Sequence, residues 1–314
     1  MSFSKYKKFF KSVIPRPIWD ECRHIYRSQI AYHKLFSYLY YRFIVRKKIR
    51  KLKKSFGLSE IDSSYSVHVL CSHDDVDMLL WSLASWHTAV KNSGQVYIHE
   101  DGSFVPSDRE IIGKIFPQAK IIDAVYAKNE SKVWLKNFPN ASKIRNNPRF
   151  FFSMKLMDPL FVSNTPYRII IDTDILWFKE PIEILKHIKD KTSFMSQALL
   201  GNLRNPFRFK DGSHIGIKLE VMNSGIVGYE LNQYRIDDLE EFCGKIDETS
   251  DTHFFEQTGY AWILNKYSDI DLLDMSKYVL KQGSLPKSAV ARHYPGPSRE
   301  KYWFEGIRIM TNRF

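Results

Sequence analysis

The segment YRIIIDTDILWF, residues 167–178, restricts the fold of this chain more than any other stretch. Its three consecutive isoleucines, Ile169 to Ile171, cannot leave one face of a strand in water, so they predict a strand covered on both faces. Such strands are typical of α/β proteins, in which helices pack on both sides of a mostly parallel sheet. The segment therefore predicts a single central strand over residues 167–178 of an α/β fold.

Short apolar runs and helical patterns alternate along the rest of residues 55–314. Strands are predicted over residues 66–73, 95–103, 119–123 and 225–229, and helices over residues 74–90, 107–116, 149–161, 181–188, 237–243 and 254–265. Asp74 or Asp75 would cap the first of these helices and Ser107 the second, and Pro181 would begin the helix over residues 181–188. This alternation predicts a Rossmann-like, mostly parallel sheet flanked by helices, with ligands at the carboxyl ends of the strands.

Asp172 and Asp174 follow the isoleucine run directly. Two carboxylates two residues apart, at the point where a strand ends, can both reach one divalent ion. Oxygen ligands favour Mg²⁺ or Mn²⁺, which in such sites is shared with substrate phosphates. Aspartate is also common in turns and at helix caps, so the pair alone is a weak signal.

The net charge of +12 is concentrated at one end of the chain. Residues 1–54 hold 16 Lys and Arg against two acids, Asp20 and Glu21, which gives +14, and the remaining residues carry −2. We therefore expect a basic, aromatic, helical N-terminal arm over residues 1–60 and a single domain over residues 61–314.

Within the arm, the apolar residues 35–45 precede the basic run RKKIRKLKK. The apolar stretch is too short to cross a bilayer, and no small-residue cleavage site follows it as in a signal peptide. It favours a helix lying in a membrane interface, with lysines and arginines against anionic lipid. A helix packed on the body of the protein is the alternative, and nucleic acid is not expected as a partner because no binding motif for it is present.

Two further features limit the function. Cys22, Cys71 and Cys243 have no metal-ligand spacing and are too few for a disulfide scaffold, so they are expected to be free thiols in a reducing compartment. Residues 201–218 have no clear period and are either a substrate loop or a surface hairpin turning at Asp211-Gly212.

Three motifs follow the Asp-Thr-Asp motif in order along the chain. They are Met222-Asn223-Ser224-Gly225-Ile226, then Phe255-Glu256-Gln257-Thr258, then Arg292-His293-Tyr294-Pro295-Gly296-Pro297-Ser298-Arg299. The set resembles the nucleotide-sugar glycosyltransferases of the GT-A fold, most nearly family eight, and a related bacterial branch with a second strand like His99 to Ser103. The resemblance covers roughly residues 65–305. The sequence departs from the family pattern at Cys71 to Asp74, and at Tyr302, where proline is usual.

The resemblance implies roles for individual residues on the donor side of the site. Asp172, Asp174 and His293 would bind the metal. Gly296 would let the backbone approach the diphosphate, and Arg299 or Lys301 would contact it. Asp74, at the end of the first strand, would lie at the edge of the nucleotide pocket, and Lys155 would face the donor.

On the acceptor side, the resemblance implies that Asn223, Glu256 and Gln257 line the sugar and the acceptor. The reaction would move a hexose from a nucleoside diphosphate sugar, with a UDP-sugar favoured, to a hydroxyl group, with Mn²⁺ or Mg²⁺ as cofactor. Family-eight enzymes retain configuration and need no strong base. If this chain inverts configuration instead, Glu256 is the candidate base.

Two other functions stay open at this point. A haloacid-dehalogenase-like phosphatase would use Asp172 as its nucleophile beside Asp174, and a non-catalytic, membrane-associated adaptor would use neither. The glycosyltransferase interpretation predicts bacterial surface-polysaccharide synthesis on a glycan or lipid-linked glycan. The enzyme would be cytoplasmic and peripheral on the inner face of the inner membrane.

Overall fold

The fold consists of two units, each with its own set of elements. One contains Met1–Lys51 and Tyr294–Phe314, and the other contains Leu52–His293. The computed structural model describes residues 15–56, 60–198, 209–213, 221–249, 252, 254–267, 269–280 and 283–314. The predicted division into an arm over residues 1–60 and a domain over residues 61–314 stays a prediction.

The smaller unit is helical. Its N-terminal part contains α1 (Arg16–Ile30), α2 (Leu35–Leu39), a π-helical turn over Tyr40–Val45 and a 3₁₀ helix over Arg46–Lys51. Its C-terminal part contains a short helix at Arg299–Lys301, a π-helical turn over Tyr302–Ile307 and a last turn at Arg308–Met310. The two parts are joined at Glu300, a buried carboxylate that lies 3.0 Å from Nδ1 of His24 and 2.9 Å from Nε of Arg27.

The larger unit is built on a seven-stranded sheet with the order β3-β2-β1-β4-β7-β6-β8. The strands are β1 (Asp62–Cys71), β2 (Gly94–Glu100), β3 (Lys120–Ile122), β4 (Tyr167–Ile171), β6 (Phe194–Gln197), β7 (Met222–Glu230) and β8 (Asp271–Leu272). β1 to β4 are mutually parallel, and β7 runs antiparallel to both β4 and β6. The predicted mostly parallel α/β architecture is confirmed.

Helices cover the sheet. They are α3 (Val76–Ala89), α4 (Pro106–Ile115), α5 (Ala124–Trp134), α6 (Pro139–Asn146), α7 (Ser153–Met157), α8 (Pro159–Val162), α9 (Ile182–Asp190), α10 (Ile236–Lys245) and α11 (Phe255–Leu264). α3 is buried along most of its length, and Trp86 packs edge-to-face on Trp177 with ring centroids 4.7 Å apart. The isoleucines of β4 are fully buried, as the sequence predicts for a central strand.

The prediction of one strand over residues 167–178 is wrong. The chain leaves the main sheet after Ile171 and resumes as β5 (Ile175–Trp177) in a second sheet of three strands, ordered β5-β10-β9. β9 is Tyr278–Val279 and β10 is Ala291–His293. β10 pairs antiparallel with β5, with His293 opposite Ile175. The break therefore places Asp172 and Asp174 between the two sheets and brings His293 beside them.

Other local predictions need correction. The predicted helix over residues 149–161 is interrupted: a 3₁₀ turn at Pro148–Phe150 precedes α7, and Pro159 begins α8. Ser107 does not cap α4, because the helix begins at Pro106 with Val105 at its N-cap. Asp75 stands at the N-cap of α3 without a capping hydrogen bond from its side chain.

The predicted loop over residues 201–218 lies largely outside the described residues. The described part, residues 209–213, turns at Asp211 and Gly212, where the φ angle of Gly212 is +78°. This turn agrees with the hairpin interpretation at that point.

Candidate metal and donor site

Asp172, Asp174 and His293 form a cluster at the carboxyl end of β4. Each offers one ligand atom, and the three atoms lie within 4.8 Å of one another. Nε2 of His293 is 3.1 Å from Oδ1 of Asp174 and 3.4 Å from Oδ2 of Asp172. An octahedral ion with bonds of about 2.1 Å places adjacent ligand atoms about 3 Å apart. Two carboxylates and an imidazole at these distances fit one face of a Mn²⁺ or Mg²⁺ site.

The electrostatics of the cluster depend on its carboxylates. Burial lowers the pKa of His293, but Asp174 and Asp172 outweigh burial, so the pKa is raised above its ordinary value. Burial raises the pKa of Asp172, and Lys155 and His293 oppose that effect. The two carboxylates therefore favour positive charge on the His293 imidazole. A divalent cation bound between these side chains could supply that positive charge in place of the proton.

β7 reaches the same edge of the sheet from the opposite direction. Because it is antiparallel to β4, with Ile226 opposite Ile171, its first residues extend past the end of β4. The backbone nitrogen of Asp172 donates to the carbonyl of Gly225 at 3.0 Å. Asn223 and Ser224 are therefore placed beside the carboxylates by strand pairing.

Lys155 is buried beneath the cluster. Its Nζ donates to Oδ1 of Asp172 at 2.6 Å, to the carbonyl of Ser224 at 2.8 Å and to Oε1 of Glu256 at 3.0 Å. Burial lowers the pKa of Lys155, but Asp172 and Glu256 more than compensate, so the pKa is raised and the side chain stays charged. Lys155 therefore joins four elements: α7, the end of β4, β7 and α11.

Glu256 and Gln257 lie in the first turn of α11, and both are buried. Besides the contact with Lys155, Oε1 of Glu256 accepts a hydrogen bond from Oγ of Ser224 at 2.7 Å. Oε1 of Gln257 accepts a hydrogen bond from Nδ2 of Asn223 at 3.2 Å. The structure thus brings seven of the sequence-predicted residues into one connected network: Asp172, Asp174, His293, Lys155, Asn223, Glu256 and Gln257.

The other predicted residues are not part of this network. Asp74 is exposed in the 3₁₀ turn that follows β1. Gly296, Arg299 and Lys301 belong to the smaller unit. There, Gly296 is exposed, and Nζ of Lys301 lies 5.1 Å from the centre of the Tyr32 ring. Contact of these residues with a donor stays a prediction.

Two serines contribute to the network although the sequence analysis assigns neither of them a role of its own. Ser224 contacts both Lys155 and Glu256, and Ser196, on β6, donates to the carbonyl of Asn223 at 2.9 Å. Ser224 belongs to the Asn-Ser-Gly motif, so its position in the sequence already indicates that it lies near the site. Ser196 has no local signal, because its role depends on the pairing of β6 with β7.

Comparison with known proteins bears on the fold. No family model matches the sequence, and no curated protein is significantly similar to it. Among solved structures, the apo form of mouse xyloside xylosyltransferase 1 is similar, with a TM-score of 0.50 at 11% identity, over 74% of this chain and 98% of that chain. The chain has a GT-A fold.

Two further glycosyltransferases show weaker structural likeness. The bifunctional glycosyltransferase WbbM has a TM-score of 0.48 at 11% identity, over 75% of this chain and 46% of that chain. The galactosyltransferase LgtC, solved with donor and acceptor sugar analogues, has a TM-score of 0.47 at 9% identity, over 79% of this chain and 96% of that chain. Assignment to family eight stays a prediction.

Proposed function

We propose that this protein is a metal-dependent glycosyltransferase that moves a sugar from a nucleoside diphosphate sugar to a hydroxyl acceptor. The observation that carries the proposal is the cluster of Asp172, Asp174 and His293 at the carboxyl edge of a GT-A sheet. Ligands of open α/β sheets bind at this edge. A divalent ion held there would neutralise the charge of the leaving diphosphate.

The residues around the cluster would keep the donor site in place. Lys155 holds Asp172 and Glu256 by hydrogen bonds, so these carboxylates are oriented before any ligand arrives. As the family resemblance implies, the diphosphate of the donor would contact Gly296, Arg299 and Lys301. The nucleotide would lie near Asp74.

A retaining hexosyltransferase reaction is the version that the network favours. Oε1 of Glu256 already accepts hydrogen bonds from Lys155 and Ser224, and a retaining reaction does not need this carboxylate as a base. An inverting reaction would need a carboxylate to deprotonate the acceptor. A UDP-sugar is the proposed donor, and Asn223, Glu256 and Gln257 would lie on the side of the sugar and the acceptor.

We further propose that the smaller unit binds an anionic membrane surface, where the acceptor would be a glycan or lipid-linked glycan of bacterial surface polysaccharide. Large apolar side chains stand exposed along its first elements: Ile18, Tyr26, Ile30, Phe36, Tyr40, Phe43 and Ile44. Lys47, Lys48 and Lys51 are exposed beside this series. Exposed apolar rings next to lysines are typical of interfacial helices.

Part of the same segment is packed, as the alternative interpretation expects. Tyr38, Val45 and Ile49 are buried, and Nε of Arg42 donates to Glu21 at 3.1 Å. No helix in the described part of the chain is both long and apolar enough to cross a membrane. A peripheral enzyme on the cytoplasmic face of the bacterial inner membrane is the proposed location.

The experiment is a screen of nucleotide sugars for Mn²⁺-dependent transfer and donor hydrolysis by the full chain. With the productive donor, Asp174→Asn should reduce both rates about 100-fold or more, since it removes a metal ligand. Asp237→Asn, an exposed aspartate in the first turn of α10, is the matched control and should leave both rates unchanged.

The rival functions give different results in the same assay. A phosphatase would release phosphate from phosphate esters and would lose activity with Asp172→Asn while showing no sugar transfer. A non-catalytic adaptor would show no turnover and no nucleotide-sugar binding. Hydrolysis of a nucleotide sugar that continues unchanged without metal would contradict the proposed function.

A further inference from the structure

We infer that Asn223 and Gly225 act as positioning residues that set the tautomer and orientation of His293 for metal binding. The inference rests on the proposed metal site and adds a role that a contact between Asn223 and the sugar does not require. It concerns the ring nitrogen of His293 that faces away from the carboxylates. Which of the two ring nitrogens binds a metal is decided by the hydrogen bond made by the other.

The orientation of the Asn223 amide is decided by its neighbours. The backbone N–H of Gly225 can only donate, and it lies 3.0 Å from Oδ1 of Asn223. Oγ of Ser196, whose one hydrogen is shared with the backbone carbonyl of Asn223, also lies 3.2 Å from Oδ1, while Nδ2 donates to Oε1 of Gln257. The atom of Asn223 that these donors approach is therefore the carbonyl oxygen, an acceptor.

The same oxygen lies 3.2 Å from Nδ1 of His293. Facing an acceptor, Nδ1 carries the hydrogen and donates it. In the neutral imidazole the lone pair is then on Nε2, the nitrogen that faces Asp172 and Asp174 at 3.4 and 3.1 Å. Asn223 thus selects the tautomer in which His293 presents a metal-binding nitrogen to the two carboxylates.

Gly225 makes this contact sterically possible. A Cβ atom at position 225 would lie 2.6 Å from Cε1 of His293 and 2.8 Å from Oδ1 of Asn223, and it would be closer still to Nδ1 of His293. Any side chain there would push the imidazole away from Asn223. The Asn-Ser-Gly motif therefore has a steric and a hydrogen-bonding function toward the same histidine.

The test measures binding of Mn²⁺ alone to the full chain, by electron paramagnetic resonance. No sugar is present, so a direct contact between Asn223 and the donor sugar cannot produce an effect. Asn223→Leu should weaken Mn²⁺ binding about 10–100-fold, as expected for loss of a hydrogen-bond partner of a ligand. It should also weaken or remove the ¹⁴N coupling of the histidine seen by electron spin-echo envelope modulation.

Asn223→Asp keeps an acceptor oxygen at the same place and should retain wild-type affinity within about threefold, together with the ¹⁴N coupling. Asn137→Leu, an exposed amide outside the network, is the control for loss of an asparagine. If Asn223→Leu does not fold, Gly225→Ala provides the second test and should lose the ¹⁴N coupling. Circular dichroism verifies the fold of each variant.

Unchanged affinity and unchanged ¹⁴N coupling in a folded Asn223→Leu or Gly225→Ala would overturn the inference. Weak binding in both Asn223→Leu and Asn223→Asp, with the coupling intact, would also overturn it, because the acceptor oxygen would then be irrelevant. Absence of Mn²⁺ binding or of ¹⁴N coupling in the wild type has a different meaning, since it would contradict the metal site of the proposed function itself.

Discussion

Two buried polar clusters in the larger unit contain histidine in opposite electrical surroundings. The edge cluster lies at the carboxyl edge of the sheet, where His293 contacts Asp172 and Asp174 and Lys155 lies below them. The interior cluster lies within the sheet, where Nδ1 of His68 on β1 is 2.9 Å from Nε2 of His99 on β2. The histidines of both clusters are buried, so burial alone does not distinguish them.

The neighbouring charges make the difference. Burial, His99 and Arg168 lower the pKa of His68, and burial and Arg145 lower that of His99 to about 3. For His293, the two aspartates reverse the effect of burial. A histidine beside carboxylates at the edge of a sheet is suited to a cation, whereas neutral histidines within the sheet form hydrogen bonds between strands.

The largest expected effect on stability comes from removing the cation of the edge cluster. Lys155→Met leaves the carboxylates of Asp172 and Glu256 without their buried partner, and loss of one member of a buried ion pair costs about 3–5 kcal/mol. The side chain of Asp172 is 31% exposed, so we expect a value near the lower end, about 3 kcal/mol. Urea denaturation with and without Mn²⁺ measures the cost.

If Lys155 stabilises the protein through its charge, Mn²⁺ should restore part of the unfolding free energy that Lys155→Met loses. The bound cation would replace part of the missing positive charge near Asp172. Lys143→Met is the control, because the side chain of Lys143 is 64% exposed and its ion pair with Glu248 lies at the surface. Equal loss in the two variants would contradict the proposed difference between edge and surface charges.

A smaller effect concerns pH and the interior cluster. A histidine with an ordinary pKa near 6.5 when unfolded and about 3 in the folded state binds fewer protons when folded. The stability contributed by neutral His99 is therefore present above pH 6.5 and is lost as the pH falls toward 3. At pH 4.5 the loss is on the order of 2 kcal/mol.

His99→Gln removes this titration while keeping a polar group. The decrease in unfolding free energy between pH 7 and pH 4.5 should be smaller in the variant than in the wild type, as measured by urea titrations at both values. The exposed His33→Asn should show the wild-type decrease. If His99→Gln retains the full decrease, His99 does not titrate as its surroundings indicate.

The sequence predicted the carboxylates of the edge cluster because their signal is local. The isoleucines of β4 and the Asp-Thr-Asp motif are adjacent, and a fully apolar strand indicates its own burial. The break after Ile171 was not predictable in this way. The apolar run continues through Ile175 to Trp177, and what separates these residues from β4 is their pairing with β10, more than 110 residues later in the chain.

The contacts within the two clusters could not be predicted from the sequence either, because they join residues that are far apart along the chain. Lys155 meets Glu256 through the packing of α7 against α11, and no spacing in the sequence encodes that distance. His68 and His99 stand in predicted strands, but only the parallel register of β1 and β2 brings their rings together. Residue types were thus predicted at the site, and partners were not.

The smallest effect sharpens the comparison from the interior side. Oγ of Ser66 lies 2.8 Å from Nε2 of His68 and 2.6 Å from Oγ1 of Thr165, so Ser66→Ala removes two hydrogen bonds of a buried hydroxyl. Each is worth about 1 kcal/mol, so we expect a loss of about 1–2 kcal/mol in urea denaturation. Ser64→Ala, at an exposed position of the same strand, should change stability by less than about 0.5 kcal/mol. Because the interior cluster is separate from the metal ligands, Ser66→Ala should leave Mn²⁺ affinity unchanged, and a parallel loss of affinity would mean that the two clusters act as one.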